Sequence, residues 1–301
     1  MHFKYAPGFV TFESGKPGPI FVAPHSSLTY RSAEREDVGS ENVAFLAAQH
    51  GGSAVISCIP RHGILGIDFN RAPPRAAMRV GDAKSSIGFY RKYAWAAQTS
   101  EEHRRKGKIY SSFWKAVERL GVNRTPFFVF CHTLSSRAKN LPSVIDLVTG
   151  RGKWANKRKV EQVVSRLNAK RDFQKYKEDW KRDMAFHAMQ GALLNAKSGM
   201  RRLWLNQDIA RASELSGMRL SAGDFGTQRY FRALDKALDN ARLKITVENI
   251  YSGDTALPVA PLLKKTGGAA IEVESQSFLN ENHAEDVVKV ISEVVKELGA
   301  L

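Results

Sequence analysis

The run Pro126 to Arg137, PFFVFCHTLSSR, most narrowly limits how this chain can fold. Apolar and aromatic residues follow one another without alternation up to Cys131 and His132, and then the chain turns polar. Unbroken apolarity over a strand length is what burial on both faces of a sheet demands, so this segment predicts a central strand. The abrupt polar turn delivers His132 to the edge of the sheet, where open α/β sheets place their chemistry. Pro19 to Ser27, PIFVAPHSS, is built the same way and ends in His25. Two strand-terminal histidines, each followed by small hydroxyl residues, suggest a metal site between them.

The remaining segments place these strands in an α/β fold with a mainly parallel or mixed central sheet flanked by helices. Residues 8–12 and 19–24 read as strands, 39–50 as a helix stopped by Gly51-Gly52, and 54–59 as a buried strand. That β-α-β order implies a parallel pair. Ser100 reads as the cap of a helix over 101–120, with acidic residues in its first turn. Further strands are expected at 144–148, 243–248 and 269–274, and further helices at 210–215 and 227–242. A helix over 284–298 carries Val287, Val290, Ile291, Val294, Val295 and Leu298 on one face. The aromatic cluster Phe89, Tyr90, Tyr93 and Trp95 fits a lid, a subunit contact or plain packing.

Charge is unevenly spread. The chain carries 46 Lys and Arg against 30 Asp and Glu, a formal net charge of +16. Between Ser136 and Arg202, 17 basic residues face 6 acidic ones, an excess of 11. The helical block at 153–200 therefore makes nucleic acid a candidate partner, against the plainer reading of a solvated basic face. Its stripes Val160, Val163, Val164, Leu167 and Phe173, Tyr176, Trp180, Met184 have core spacing, and His187 falls on the second. Two cysteines, Cys58 and Cys131, are too few for a disulfide framework and read as buried thiols. No run is long and apolar enough to span a bilayer, and the first residues carry no secretory pattern, so a cytoplasmic location is expected.

A zinc hydrolase needs three protein ligands and one open position. His25 and His132 supply two. The third must be an oxygen from the segment after His25, where Asp37 and Glu41 stand four residues apart on one face of a helix start. In the strand AAIEVE, Glu272 and Glu274 point to the same face, and Glu274, nearer the carboxyl end, is the candidate general base. Arg71 has the planar fork that binds a carboxylate in two-point fashion, with Arg61 as helper; a structural ion pair with Asp68 is the other reading.

The order of these pieces resembles the N-formylglutamate amidohydrolase family, zinc hydrolases distantly similar to the metallocarboxypeptidases. The segments that carry the resemblance are Pro24-His25-Ser26-Ser27, Glu36-Asp37-Val38-Gly39 with Glu41, Pro60-Arg61, Asp68-Phe69-Asn70-Arg71, Phe130-Cys131-His132-Thr133, Asn249-Ile250-Tyr251-Ser252-Gly253 and Glu272-Val273-Glu274-Ser275. The resemblance implies a single domain over 1–301 of phosphorylase/hydrolase-like architecture, with 153–200 as a basic helical insertion that has no counterpart in the family pattern. It implies a zinc ion held by His25, Asp37 and His132, with Glu41 as alternative ligand, and metal-activated water attacking a C–N amide bond in an N-acyl or N-formyl amino-acid-like substrate. Arg61, Asn70, Arg71, Tyr251 and Ser252 are the implied contacts of a small carboxylate-bearing substrate, and Glu274 and Arg71 the catalytic residues. Ser27 stands where the family has glycine, and Thr133 where it has serine. A nucleic-acid-binding protein on the same fold, or a hydrolase acting on an acyl or amide group linked to RNA, is the alternative expectation.

Overall fold

The structure is a computed structural model, and it describes all residues except 27–36, 62–65, 76–94, 96, 98, 123–124, 135, 196–201, 254–257 and 300–301; the side chains of 187, 190–195 and 202–205 also lie outside the description. Phe89, Tyr90, Tyr93, Ser27, Glu36 and the side chain of His187 fall in these segments.

An eight-stranded mixed sheet forms the centre, in the order β1-β2-β4-β3-β5-β8-β6-β7. Its strands are β1 (His2–Ala6), β2 (Phe9–Glu13), β3 (Ile20–Ala23), β4 (Ser53–Ser57), β5 (Phe127–Leu134), β6 (Ser143–Val148), β7 (Lys244–Val247) and β8 (Ala269–Gln276). The four strands β4, β3, β5 and β8 run parallel, as continuous burial of Phe127 to Phe130 requires. The flanks depart from that pattern: β2 pairs antiparallel with β4, and β6 pairs antiparallel with β8. The expected β-α-β unit is β3, α1 (Ser40–His50) and β4, with β3 and β4 parallel. Gly39 opens α1 at φ +80°, and a β-carbon there would stand 2.8 Å from Asn280, so only glycine lets the helix begin this close to its neighbour.

Helices cover both faces. On one face, α1 packs with α3 (Lys157–Lys170), α4 (Lys177–Asn195), α5 (Arg202–Ser216), α6 (Gln228–Asn240), α8 (Ser277–Asn282) and α9 (Ala284–Glu297). On the other lie α2 (Ser100–Leu120) and α7 (Val259–Thr266). The stripe of α9 is buried from Val287 to Val295, while Leu298 is only partly covered. Thr99, not Ser100, caps α2: its hydroxyl accepts from Glu102 N at 3.1 Å, so Ser100 is already helical.

The basic block is part of the core on one side. Val160, Val163, Val164 and Leu167 of α3 and Trp180 and Met184 of α4 all join the larger apolar cluster. Tyr176 ends a 3-10 turn (Gln174–Tyr176) that precedes α4, and Phe173 stands just before that turn, so neither sits on the helix itself. Cys131 is buried, but Cys58 is only half-buried, because β4 ends one residue before it. Among the described residues no helix is long and apolar enough to cross a membrane.

Candidate metal centre

The parallel core aligns the site. In β5, Phe128, Phe130 and His132 share a face, so the stripe that fills the core beside α2 ends in an imidazole. In the parallel neighbour β8, Glu274 stands level with His132 and Glu272 with Phe130. His25 follows β3 on the other side of β5, and its ring centroid lies 5.2 Å from that of His132. Asp37 is tied to the same place by its backbone: its N–H donates to His25 O at 3.2 Å, and its carbonyl accepts from Ser40 N at the start of α1.

Three donor atoms converge. Asp37 Oδ2 lies 2.6 Å from His132 Nδ1 and 3.5 Å from His25 Nδ1. His25, Asp37 and His132 are all buried, and their ligand atoms lie within 4.8 Å of one another. His25 Nε2 meets Asp68 Oδ1 at 2.8 Å, and because a carboxylate only accepts, Nε2 carries the proton. Nδ1, on the other side of the ring, is buried and without a hydrogen-bond partner among the described residues, and it faces Asp37 and His132. An orphaned buried nitrogen with its far side held by a carboxylate is the arrangement of a metal-ligating histidine. The donor set, two nitrogens and one carboxylate oxygen, suits zinc.

Electrostatics agree with a cation here. Burial would raise Asp37, but His132 and His25 override it and hold the carboxyl far below the usual carboxylate range. Burial would raise Asp68 too; Arg61, His25 and Arg71 together hold it far below. Burial would lower His132, yet its hydrogen bond to Asp37 and the charges of Glu272, Asp37 and Glu274 push it up to about 9. Burial, together with Glu272 and Asp37, raises Glu274 well above the ordinary value against the pull of His132.

The other expected residues distribute as follows. Glu41 lies outside the His25–Asp37–His132 group; burial, with the Asp37 and Glu281 carboxylates, raises it to about 7. Asn70 Nδ2 stands 3.4 Å from His132 Nε2, with Glu272 Oε1 3.5 Å from the same nitrogen. Arg61 and Arg71 each approach Asp68 Oδ2 at 3.5 Å, and Arg71 keeps 39% of its side chain exposed. The ion pair with Asp68 is therefore present. Tyr251 is 44% exposed, but its phenol end reaches the site: burial there and the Glu274 and Asp37 carboxylates raise its pKa. Ser252 turns away, accepting from Arg151 Nη2 at 3.5 Å.

Two contributors were not expected. Asp146 on β6, fully buried and level with Glu274, accepts from Asn249 N at 3.0 Å, Ile250 N at 2.8 Å and Tyr251 N at 3.3 Å. Because β7 runs opposite to β8, the chain after it must fold back across the sheet to bring Tyr251 to Glu274, and Asp146 holds that return. Gly253 completes it at φ +70°, where a β-carbon would stand 2.6 Å from the Trp154 ring. An aspartate inside the apolar strand SVIDLV was the available signal, since such residues are seldom buried unless paired. Asn280 braces the histidine from behind, its amide donating to His132 O at 3.3 Å and Thr133 Oγ1 at 2.8 Å. Nothing in the pattern SFLNEN announces that role.

The basic block faces other helices. Lys157 pairs with Glu248, Arg166 with Glu297, Arg171 with Glu293, Lys175 with Asp286, Lys177 with Asp239, Lys181 with Asp235 and Arg182 with Asp179. Much of its charge is thus matched by acids of α6 and α9.

No protein-family model matches the chain, and no curated protein sequence does. Among solved structures, the crystal structure of gene product Atu2144 from Agrobacterium tumefaciens is similar, with a TM-score of 0.51 over 97% of this chain and 96% of that one at 12% identity. At that identity the likeness establishes the α/β fold alone.

Proposed function

We propose that this chain is a zinc-dependent hydrolase of the N-formylglutamate amidohydrolase type, cleaving a C–N amide bond in a small substrate that carries a carboxylate. The observation that carries the reading is the buried, unpartnered His25 Nδ1, which faces Asp37 Oδ2 and His132 Nδ1. His25, Asp37 and His132 would hold the ion. When bound, zinc supplies Lewis acidity: it polarises the amide carbonyl and makes a water acidic near neutral pH.

The chain's own residues account for the rest. Glu274 sits level with His132, and burial raises its pKa well above the ordinary carboxylate value. As a carboxylate it accepts a proton from the attacking water; as an acid it returns that proton to the departing amine nitrogen. The water oxygen bonds to the amide carbon, the C–N bond breaks, and the products are a carboxylic acid and an amine. Arg71 and Arg61, anchored on Asp68, present positive charge to the substrate carboxylate. Tyr251, partly exposed and close enough to feel the Glu274 and Asp37 carboxylates, would contact the substrate. Asp68 fixes the His25 ring so that Nδ1 points inward, the role second carboxylates play behind zinc histidines.

The test combines metal analysis with an amidase screen over N-acyl and N-formyl amino acids. About one zinc per chain, lost in His25→Ala and His132→Ala variants that still fold, with turnover of at least one substrate, is the expected result. Full zinc occupancy in either variant would place the site elsewhere.

A further inference from the structure

The outer face of α2 carries Arg104, Lys108, Lys115 and Arg119, all exposed. Their spacing of 4, 7 and 4 residues puts them on one stripe of about 22 Å, given a rise of about 1.5 Å per residue. Arg105 flanks the stripe, and the exposed hydroxyls of Ser111 and Ser112 lie between its basic pairs. The opposite side of the helix buries Phe113, Ala116 and Val117 in the sheet, so the stripe is turned squarely outward.

None of the four cations has an acidic partner among the described residues. Of the acids of α2, Glu101 stands one turn before Arg104 at the end of the stripe without an ion pair to it, Glu102 points away from the stripe, and Glu118 is bound to Lys265 of α7. In the 153–200 block, by contrast, ion pairs hold seven of the cations, five of them with acids of α6 and α9. Arg104 with Lys108, and Lys115 with Arg119, are like charges four apart on a helix, an arrangement that costs stability and that an anionic ligand relieves. Among the described residues no aromatic side chain stands on this face to stack a splayed base; Tyr110 and Trp114 are half-buried toward the core. That favours a rigid phosphate array over a single strand read by stacking.

We propose that the outer face of α2 is a sequence-independent docking surface for the phosphate backbone of a nucleic-acid duplex. The inference stands apart from the metal centre and does not depend on the hydrolase reading.

Fluorescence anisotropy with a labelled 24-base-pair DNA duplex, titrated between 50 and 200 mM salt, tests it. Four neutralised phosphates predict a slope of log K against log salt of about −3.6, with a Kd in the range of about 1–100 μM near physiological salt. The quadruple variant Arg104→Gln, Lys108→Gln, Lys115→Gln, Arg119→Gln should weaken binding at least tenfold and flatten the slope by about 3. A charge-matched control at the other block, Lys153→Gln, Arg158→Gln, Lys159→Gln, Lys170→Gln, should change affinity less than threefold. Should the quadruple variant melt early, Lys108→Gln with Lys115→Gln should give about half the change in slope. Equal loss in both quadruple variants would reduce the effect to net charge and overturn the assignment. So would absence of duplex binding at 50 mM salt, or binding to phosphatidylserine vesicles, but not to duplex, through the same four residues.

Discussion

Metal affinity at this centre should be steeply pH-dependent, because His132 must give up a proton from Nδ1 before that nitrogen can bind a cation. Nδ1 donates to Asp37 Oδ2 at 2.6 Å, and the surrounding carboxylates push the imidazolium pKa up to about 9. At pH 7, about two units below that value, only about 1% of the rings are neutral. The apparent association constant should then lie about 100-fold, or about 2.7 kcal/mol, under its alkaline plateau. From pH 6 to 8 it should climb about tenfold per unit and level off near 9. Competition of zinc against a chromophoric chelator across this range measures the slope, and calorimetry in buffers of different ionisation enthalpy measures protons released, at least one per ion at pH 7. Glu272→Gln removes one of the charges that raise His132 and leaves the three ligands in place, so its curve should shift to lower pH and its affinity at pH 7 should rise. An affinity independent of pH between 6 and 8, with no proton release, would refute the assignment of His132 Nδ1 as a ligand.

The same shift governs stability of the chain kept metal-free with chelator. His132 has a folded pKa raised above the unfolded value of about 6.5, so its contribution is complete below pH 6.5 and lost by about 9, up to about 3 kcal/mol with the Asp37 coupling counted once. Urea midpoints at pH 6 and 9 should show the loss, and His132→Gln should abolish it; a flat wild-type profile would contradict the coupling. Asp37 and Asp68 have depressed values and act in the opposite sense, their contribution being present above pH 4 and lost on acidification. Glu274→Gln should keep zinc and lose about 10² to 10⁴ in kcat on any amide substrate found, while Glu272→Gln stays within tenfold; the reverse order would make Glu272 the base. Gly253→Ala, with φ +70° and a β-carbon 2.6 Å from Trp154, should destabilise by about 1–3 kcal/mol in thermal melts, and more than Gly217→Ala, where φ is +68° but no atom lies within 4 Å. Equal effects at the two glycines would mean that the Trp154 wall gives way.

The segments that bring the three donors to one place were legible because local chemistry dictates them. Phe127 to Phe130 admit only a doubly buried strand, and a polar turn after such a strand leaves His132 at its end whatever the neighbours are. The same holds for Ile20 to Ala23 and His25, and the alternation of β8 put Glu272 and Glu274 on one face. Asp37 could be singled out from Glu41 only by resemblance; in the fold, the hydrogen bond from its N–H to His25 O holds it between the two imidazoles, while Glu41 lies outside the group. What local chemistry cannot express is strand direction. Nothing in SVIDLV states that β6 runs against β8, and that reversal alone brings Asp146 level with Glu274 and obliges the Tyr251 segment to fold back over the sheet. Charge is likewise a tertiary matter. A count of lysines and arginines marks 153–200 as the basic region, but their partners on α6 and α9 lie 54 to 131 residues away in sequence, so only the packed structure shows that much of this charge is matched while, among the described residues, the four cations of the α2 stripe form no ion pair. Burial and periodicity act between neighbours along the chain; ion pairing and strand order act between segments that meet only after folding.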